Sequence, residues 1–192
     1  LKGEDYMKLN VVKAANKDQG TCGKCKKEIK KGDGYLWWKG RYGPRHVRCP
    51  SCRPRASELE SNEKTSALLA AIEDAEDGID RWLALATTDL SDLQSTANAA
   101  AEAVREVSGM FLEGQQNIED GFQHSTSQSD EMGERGEALE ESASNLESLS
   151  LEEWDENGGD EEEMDDEKED RFNTWAEEQA QTVRDALEEI ET

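Results

Sequence analysis

The chain has 192 residues, of which 34% are hydrophobic, 6% aromatic and 35% charged, and its net charge is −24. So few apolar side chains and so much like charge exclude one large compact core, because too little surface is buried to offset the entropy of ordering; no run approaches the roughly 20 apolar residues of a membrane-spanning helix. The charge is divided: residues 1–56 carry 15 Lys and Arg against 5 Asp and Glu, and residues 57–192 carry 7 against 41, so a small basic module is joined to a long acidic one.

Residues 1–20 read as a flexible basic arm, polar apart from a short apolar patch at Leu9, Val11 and Val12. Leu1 to Tyr6 holds no hydrophobic signal region, and Met7 is a candidate start.

Residues 21–56 hold all four cysteines, as Cys22-Gly23-Lys24-Cys25 and Cys49-Pro50-Ser51-Cys52. Two C-x-x-C knuckles separated by a hairpin-sized segment are a zinc-site pattern. Between them lie the turn Gly32-Asp33-Gly34, the strand-forming run Tyr35-Leu36-Trp37-Trp38-Lys39, the turn Gly40 to Pro44, and a returning strand Arg45-His46-Val47-Arg48. A segment of about 36 residues cannot build a self-sufficient core, and a bound metal supplies what is missing. Pro50 suits the start of a helical turn at the second knuckle, and Pro54 stops it.

Residues 57–120 read as an amphipathic, coiled-coil-like helical region. Ser57 and Glu60 form an expected capping box, and Leu68, Ile72, Ala75 and Ile79 begin a helical period that runs on through Leu93, Ala97, Ala100, Val104, Val107 and Phe111. Thr87-Thr88-Asp89 marks a break, giving two expected helices at about 57–86 and 89–113. Residues 121–136, rich in Gly, Ser, Gln and Glu, read as a flexible hinge. Residues 137–154 read as a short helix through Leu139, Ala143, Leu146, Leu149 and Trp154, and residues 155–170, with eleven Asp or Glu, as a disordered acidic linker. Phe172, Trp175, Ala176, Val183, Leu187 and Ile190 write a C-terminal amphipathic helix over 171–192.

Cys22, Cys25, Cys49 and Cys52 supply four soft thiolates for one tetrahedral zinc ion, which would be structural because a closed set leaves no position for a catalytic water. His46 is an alternative ligand, giving C-x2-C-x20-H-x2-C. Cysteine spacing of metal type and the lack of a signal region lead to the expectation of a reducing, cytoplasmic setting.

The run Cys22-x-x-Cys25, Ile29, Gly32, Tyr35, His46-x-x-Cys49-x-x-Cys52 resembles treble-clef-type zinc modules. It is similar to the first half of a LIM domain and to the zinc finger of poly(ADP-ribose) polymerases; the first resemblance implies protein binding, the second binding of DNA ends. No second ligand set follows Cys52, and Pro54 interrupts the helix that a treble clef continues. Residues 20–60 also resemble small proteins of tailed bacteriophages, which implies the cytoplasm of a bacterial host. The expected architecture is a small zinc-stabilised β-hairpin module, treble-clef or ribbon-like, followed by an all-α acidic helical region with a disordered acidic linker.

Trp37, Trp38, Lys39, Arg41, Tyr42, Arg45, Arg48, Arg53 and Arg55 interleave cations with aromatic rings on this module. That combination suits phosphate contact with base stacking, so nucleic acid is the first expected partner. Alternation places Trp37 and Trp38 on opposite faces, so one should be exposed or pack on the following helix. The acidic helices suit a basic protein partner or self-regulation; the alternative function is an adaptor or acidic DNA mimic acting on a basic host or phage protein. With only His46 and His124, no Ser/His/Asp arrangement and no phosphate-binding glycine loop, the chain reads as a non-enzyme with no small-molecule substrate and no membrane partner.

Overall fold

The structure is a computed structural model and describes residues 7–40, 43–155 and 165–191. Arg41, Tyr42, the first six residues and most of the expected acidic linker (156–164) lie outside the described residues. The chain divides into two compact units, Leu1–Ala70 and Ala71–Thr192.

The first unit is built on β1 (Asn10–Val12), β2 (Gly20–Thr21), β3 (Glu28–Ile29), β4 (Tyr35–Lys39) and β5 (Arg45–Arg48). A three-stranded antiparallel sheet has the order β1-β4-β5, and β2 and β3 form a separate antiparallel ribbon. β4 is central because its Tyr, Leu and Trp residues bury on both faces: Tyr35, Leu36 and Trp38 are buried and Trp37 half-buried. The Gly32–Gly34 turn needs Gly32 in the left-handed region, at φ 95°, and Asp33 closes it by accepting the Lys30 N–H at 2.9 Å.

Residues 7–20 of the expected flexible arm are instead part of the fold. Asn10, Val11 and Val12 pair with Trp37, Leu36 and Tyr35. Ala15 is buried, donates its N–H to Asp33 O at 2.8 Å and accepts from Gly32 N. The physical reason is the open edge of β4, whose backbone groups need a partner; the β-branched pair at 11–12 supplies it.

After the second knuckle comes α1 (Ala56–Leu59), then α2 (Glu63–Leu85). The expected helix over 57–86 is thus broken at residues 60–62. The capping box is shifted as well. Glu58, not Glu60, turns back to accept the Arg55 N–H at 2.9 Å, while Ser57 is buried inside the turn and its carbonyl accepts from Ser66 Oγ at 2.8 Å. Asn62 then caps α2 by accepting from Lys64 N and Thr65 N.

The second unit contains the rest of α2 with α3 (Ser91–Phe122), α4 (Ser127–Glu147) and α5 (Asp165–Glu191). Ala75, Ile79, Leu93, Ala97, Ala100, Val104 and Val107 are all buried, as their spacing requires. α2 ends at Ala86, which takes a left-handed φ of 47°, and Asp89 starts α3 by accepting the Ser91 N–H at 2.9 Å, which also holds its carboxyl below the usual range. Among the described residues no helix is long and apolar enough to cross a membrane.

Three expected boundaries move. α3 continues to Phe122, and α4 starts at Ser127 with Thr126 as its cap, so the hinge over 121–136 shrinks to a short connection. Gly133 and Gly136, which suggested flexibility, allow close helix approach instead: a Cβ at Gly136 would lie 2.7 Å from Leu112 Cδ2, and the buried Ser108 Oγ donates to Gly136 O at 2.7 Å. α4 ends at Glu147, and residues 149–155 are not helical; Trp154 packs on Phe172 and Trp175 of α5. α5 begins at Asp165, within the stretch expected to be disordered. Carboxylates in the first turn of a helix are favoured by its dipole, and Glu167 stands there.

Gly78 gives a direct test of this packing. A Cβ there would sit 2.6 Å from Thr96 Cγ2, 2.8 Å from Oγ1 and 3.3 Å from Cβ. Threonine is stiff at χ1, and Thr96 Oγ1 is already bonded to Asp92 O at 2.9 Å. Gly78→Ala is therefore expected to destabilise by about 1–2 kcal/mol despite alanine's better helix propensity, whereas Gly133→Ala meets only the flexible end of Gln115 and should be neutral or stabilising. Thermal unfolding of the two variants separates these outcomes.

Candidate metal centre

Each cysteine pair sits where the backbone is already turned. Cys22 follows β2, and the first knuckle closes through Lys26 N to Cys22 O (3.0 Å) and Cys22 N to Lys27 O (2.8 Å), with Lys26 in the left-handed region at φ 62°. Cys49 follows β5, and Cys52 N bonds to Cys49 O at 3.0 Å. Gly23 N donates to Val47 O at 2.9 Å and ties the knuckles together.

The four Sγ atoms lie within 4.8 Å of one another, and Cys25 Sγ is 3.7 Å from Cys49 Sγ. A tetrahedron with metal–sulfur bonds of about 2.3 Å has sulfurs about 3.8 Å apart, whereas a disulfide needs about 2.05 Å. All four thiols are free. Cys22 and Cys49 are buried, Cys52 is half-buried and Cys25 exposed. Ala15, Ile29 and Tyr35 complete the core around them, with Val12, Trp37 and Val47 at its margin. Cluster size and donor chemistry fit one metal ion.

The thiols of the cluster ionise unequally. Burial opposes ionisation of Cys22, but the backbone N–H groups of Cys49, Cys25 and Lys24 outweigh it and bring the thiol down to about 6. Cys52 is pushed up to about 12 by hydrogen bonding to the Cys49 and Cys25 sulfurs, with burial adding to it. Four thiolates this close repel one another unless a cation stands between them.

His46 is not part of this cluster. Among the described residues the only group of His, Cys, Asp or Glu placed to hold a metal is the four cysteines. The exposed His46 ring stacks on Trp38, with centroids 5.2 Å apart and planes at 14°.

The other residues singled out in the sequence are dispersed. Trp38 is 2% exposed, so it is a core residue. Arg48 lies over it, 5.5 Å from the ring centroid, and forms an ion pair with Glu58. Arg45 lies over Trp37 at 4.6 Å and Tyr35 at 5.5 Å, and donates to Tyr35 Oη at 3.1 Å and Gln19 Oε1 at 3.3 Å. Lys39 and Arg53 are exposed, and Arg55 is half-buried ahead of α1. Lys8, exposed two residues ahead of β1, is a further cation of this unit that the sequence reading left in the flexible arm; its only signal was the Leu9–Val12 patch beside it.

Comparison of the chain with protein families, curated proteins and solved structures returns no match.

Proposed function

We propose that this is a non-enzymatic zinc protein whose basic N-terminal unit contacts nucleic acid, with the acidic helical region serving protein contacts or self-regulation. Zinc is the ion of choice because four thiolates in a tetrahedron are its common structural set, and a closed set has no open position for chemistry. Cys22, Cys25, Cys49 and Cys52 would hold it. The observation that carries the nucleic-acid reading is charge: residues 34–57 contain six Lys and Arg and no Asp or Glu. A phosphate backbone is the abundant polyanion that such a surface attracts.

The test is binding of the zinc-loaded full chain to nucleic acid. One zinc per chain is expected by metal analysis, with binding to a labelled oligonucleotide at about 20 mM salt that weakens steeply towards 200 mM. Absence of binding to DNA and RNA at the lowest salt rejects this function.

A further inference from the structure

The antiparallel register sets two cations opposite one another and, extended past the end of β1, a third beside them. Lys39 of β4 pairs with Arg45 of β5. On the other side, Asn10 pairs with Trp37, and the same register carried two residues further sets Lys8 opposite Lys39. The chain keeps that course: a Cβ on Gly40 would be 3.2 Å from Met7 Sδ, one place beyond. Lys8, Lys39 and Arg45 are all exposed. Neighbouring strands are about 4.8 Å apart, and like charges directly opposite one another destabilise a sheet. Arg45 is held by Tyr35, Gln19 and the Trp37 ring, but the fold gains nothing from setting Lys8 and Lys39 beside it. No carboxylate shares the sheet: the three Asp and Glu of residues 7–57 are Asp18, Glu28 and Asp33. Asp18 and Asp33 accept from the Lys31 and Lys30 N–H groups, and Glu28 pairs with Lys30.

We propose that the Lys8–Lys39–Arg45 row is a docking site for the phosphate backbone of double-helical DNA. This rests on the nucleic-acid function proposed above and deepens it. Among the described residues, the aromatic rings of this sheet are closed to bases. Trp38 and Tyr35 are 2% and 8% exposed, and the Arg45 guanidinium covers Trp37. Binding of single strands draws on open rings for stacking; a row of point charges with its rings covered is suited to the denser charge of a duplex. The Tyr35 hydroxyl and the Gln19 and Asn10 amides near the row are taken up by Arg45 and by backbone carbonyls rather than offered to a ribose 2′-OH, so DNA is the occupant.

The experiment uses the zinc-loaded full chain and fluorescence anisotropy with a labelled DNA duplex of arbitrary sequence, the corresponding single strand and an RNA duplex, over a salt series. The DNA duplex is expected to bind at least tenfold tighter than the single strand. The triple variant Lys8→Gln, Lys39→Gln, Arg45→Gln should flatten the plot of log affinity against log salt by about 2.7, or about 0.9 per lost phosphate contact. A ribbon control, Lys26→Gln with Lys27→Gln and Lys30→Gln, should keep most of the wild-type slope. Arg45→Gln also gives up the contacts to Trp37, Tyr35 and Gln19, so the double variant Lys8→Gln with Lys39→Gln, which removes none of them, separates lost binding from lost folding: it should melt no lower than wild type, hold one zinc and flatten the slope by about 1.8. Wild-type-like binding by the triple variant, or tighter binding of single strand or RNA duplex, overturns the row while leaving nucleic-acid binding in place. Failure of wild type on all three probes overturns the broader function instead.

Discussion

Stripping the metal with a chelator is expected to unfold the first unit and leave α3, α4 and α5 helical. Its strands are two to five residues long, too short to persist alone. Its buried cysteine-centred cluster has five members, and two of them, Cys22 and Cys49, are among the proposed metal ligands. Structural zinc supplies about 10–16 kcal/mol to such modules, more than the usual total stability of a domain. Near-ultraviolet circular dichroism should lose the signal of Trp37 and Trp38, while the far-ultraviolet helical signal persists. Cys22→Ser and Cys52→Ser should behave like the chelated protein. His46→Ala should retain one metal per chain and lose only its stack on Trp38. Retention of metal by Cys52→Ser together with its loss from His46→Ala would reassign the ligand set.

Trp175→Ala is expected to be the costliest single change in the helical unit. Trp175 contacts Trp82, Trp154 and Phe172 with ring centroids 6.0, 5.5 and 5.7 Å away. Its indole N–H donates to Glu152 O at 2.8 Å. It thus joins α2, α5 and the non-helical segment 149–155. Removing a buried tryptophan costs about 3–5 kcal/mol, and the Glu152 carbonyl loses its donor. Trp175→Phe keeps most of the ring packing and should cost markedly less, with about 1 kcal/mol of it from the hydrogen bond. Urea unfolding followed in the far ultraviolet gives both values. A loss below about 1 kcal/mol for the alanine variant would show that the ring cluster does not hold this unit together.

Both expectations draw on features with different visibility in the sequence. The four cysteines were legible because metal chemistry constrains spacing as well as residue type. The helical seam from Ala75 to Val107 was legible because burial on one face imposes a period. The break near Thr87 was visible by a different signal, since the Thr87-Thr88-Asp89 run supplies a new helix cap.

Other features depended on what lies opposite. Residues 1–20 looked unstructured because a three-residue edge strand has no period to detect; β4 supplies the reason it exists. Gly133 and Gly136 looked like a hinge because glycine signals mobility and close approach alike, and only Leu112 and Ser108 across the interface distinguish them. Trp38 and Arg48 looked like a stacking and phosphate-binding pair, yet one fills the core and the other pairs with Glu58.

The sequence by itself determined the ligand chemistry, the division into a basic β unit and an acidic helical one, and the inward faces of the long helices. These follow from local spacing, composition and charge. Tertiary structure decided that His46 stands apart from the cysteine cluster, that Arg45 closes Trp37, and that Lys39 stands opposite Arg45. Those outcomes are set by strand register, which brings together residues up to 27 positions apart and which no local pattern encodes.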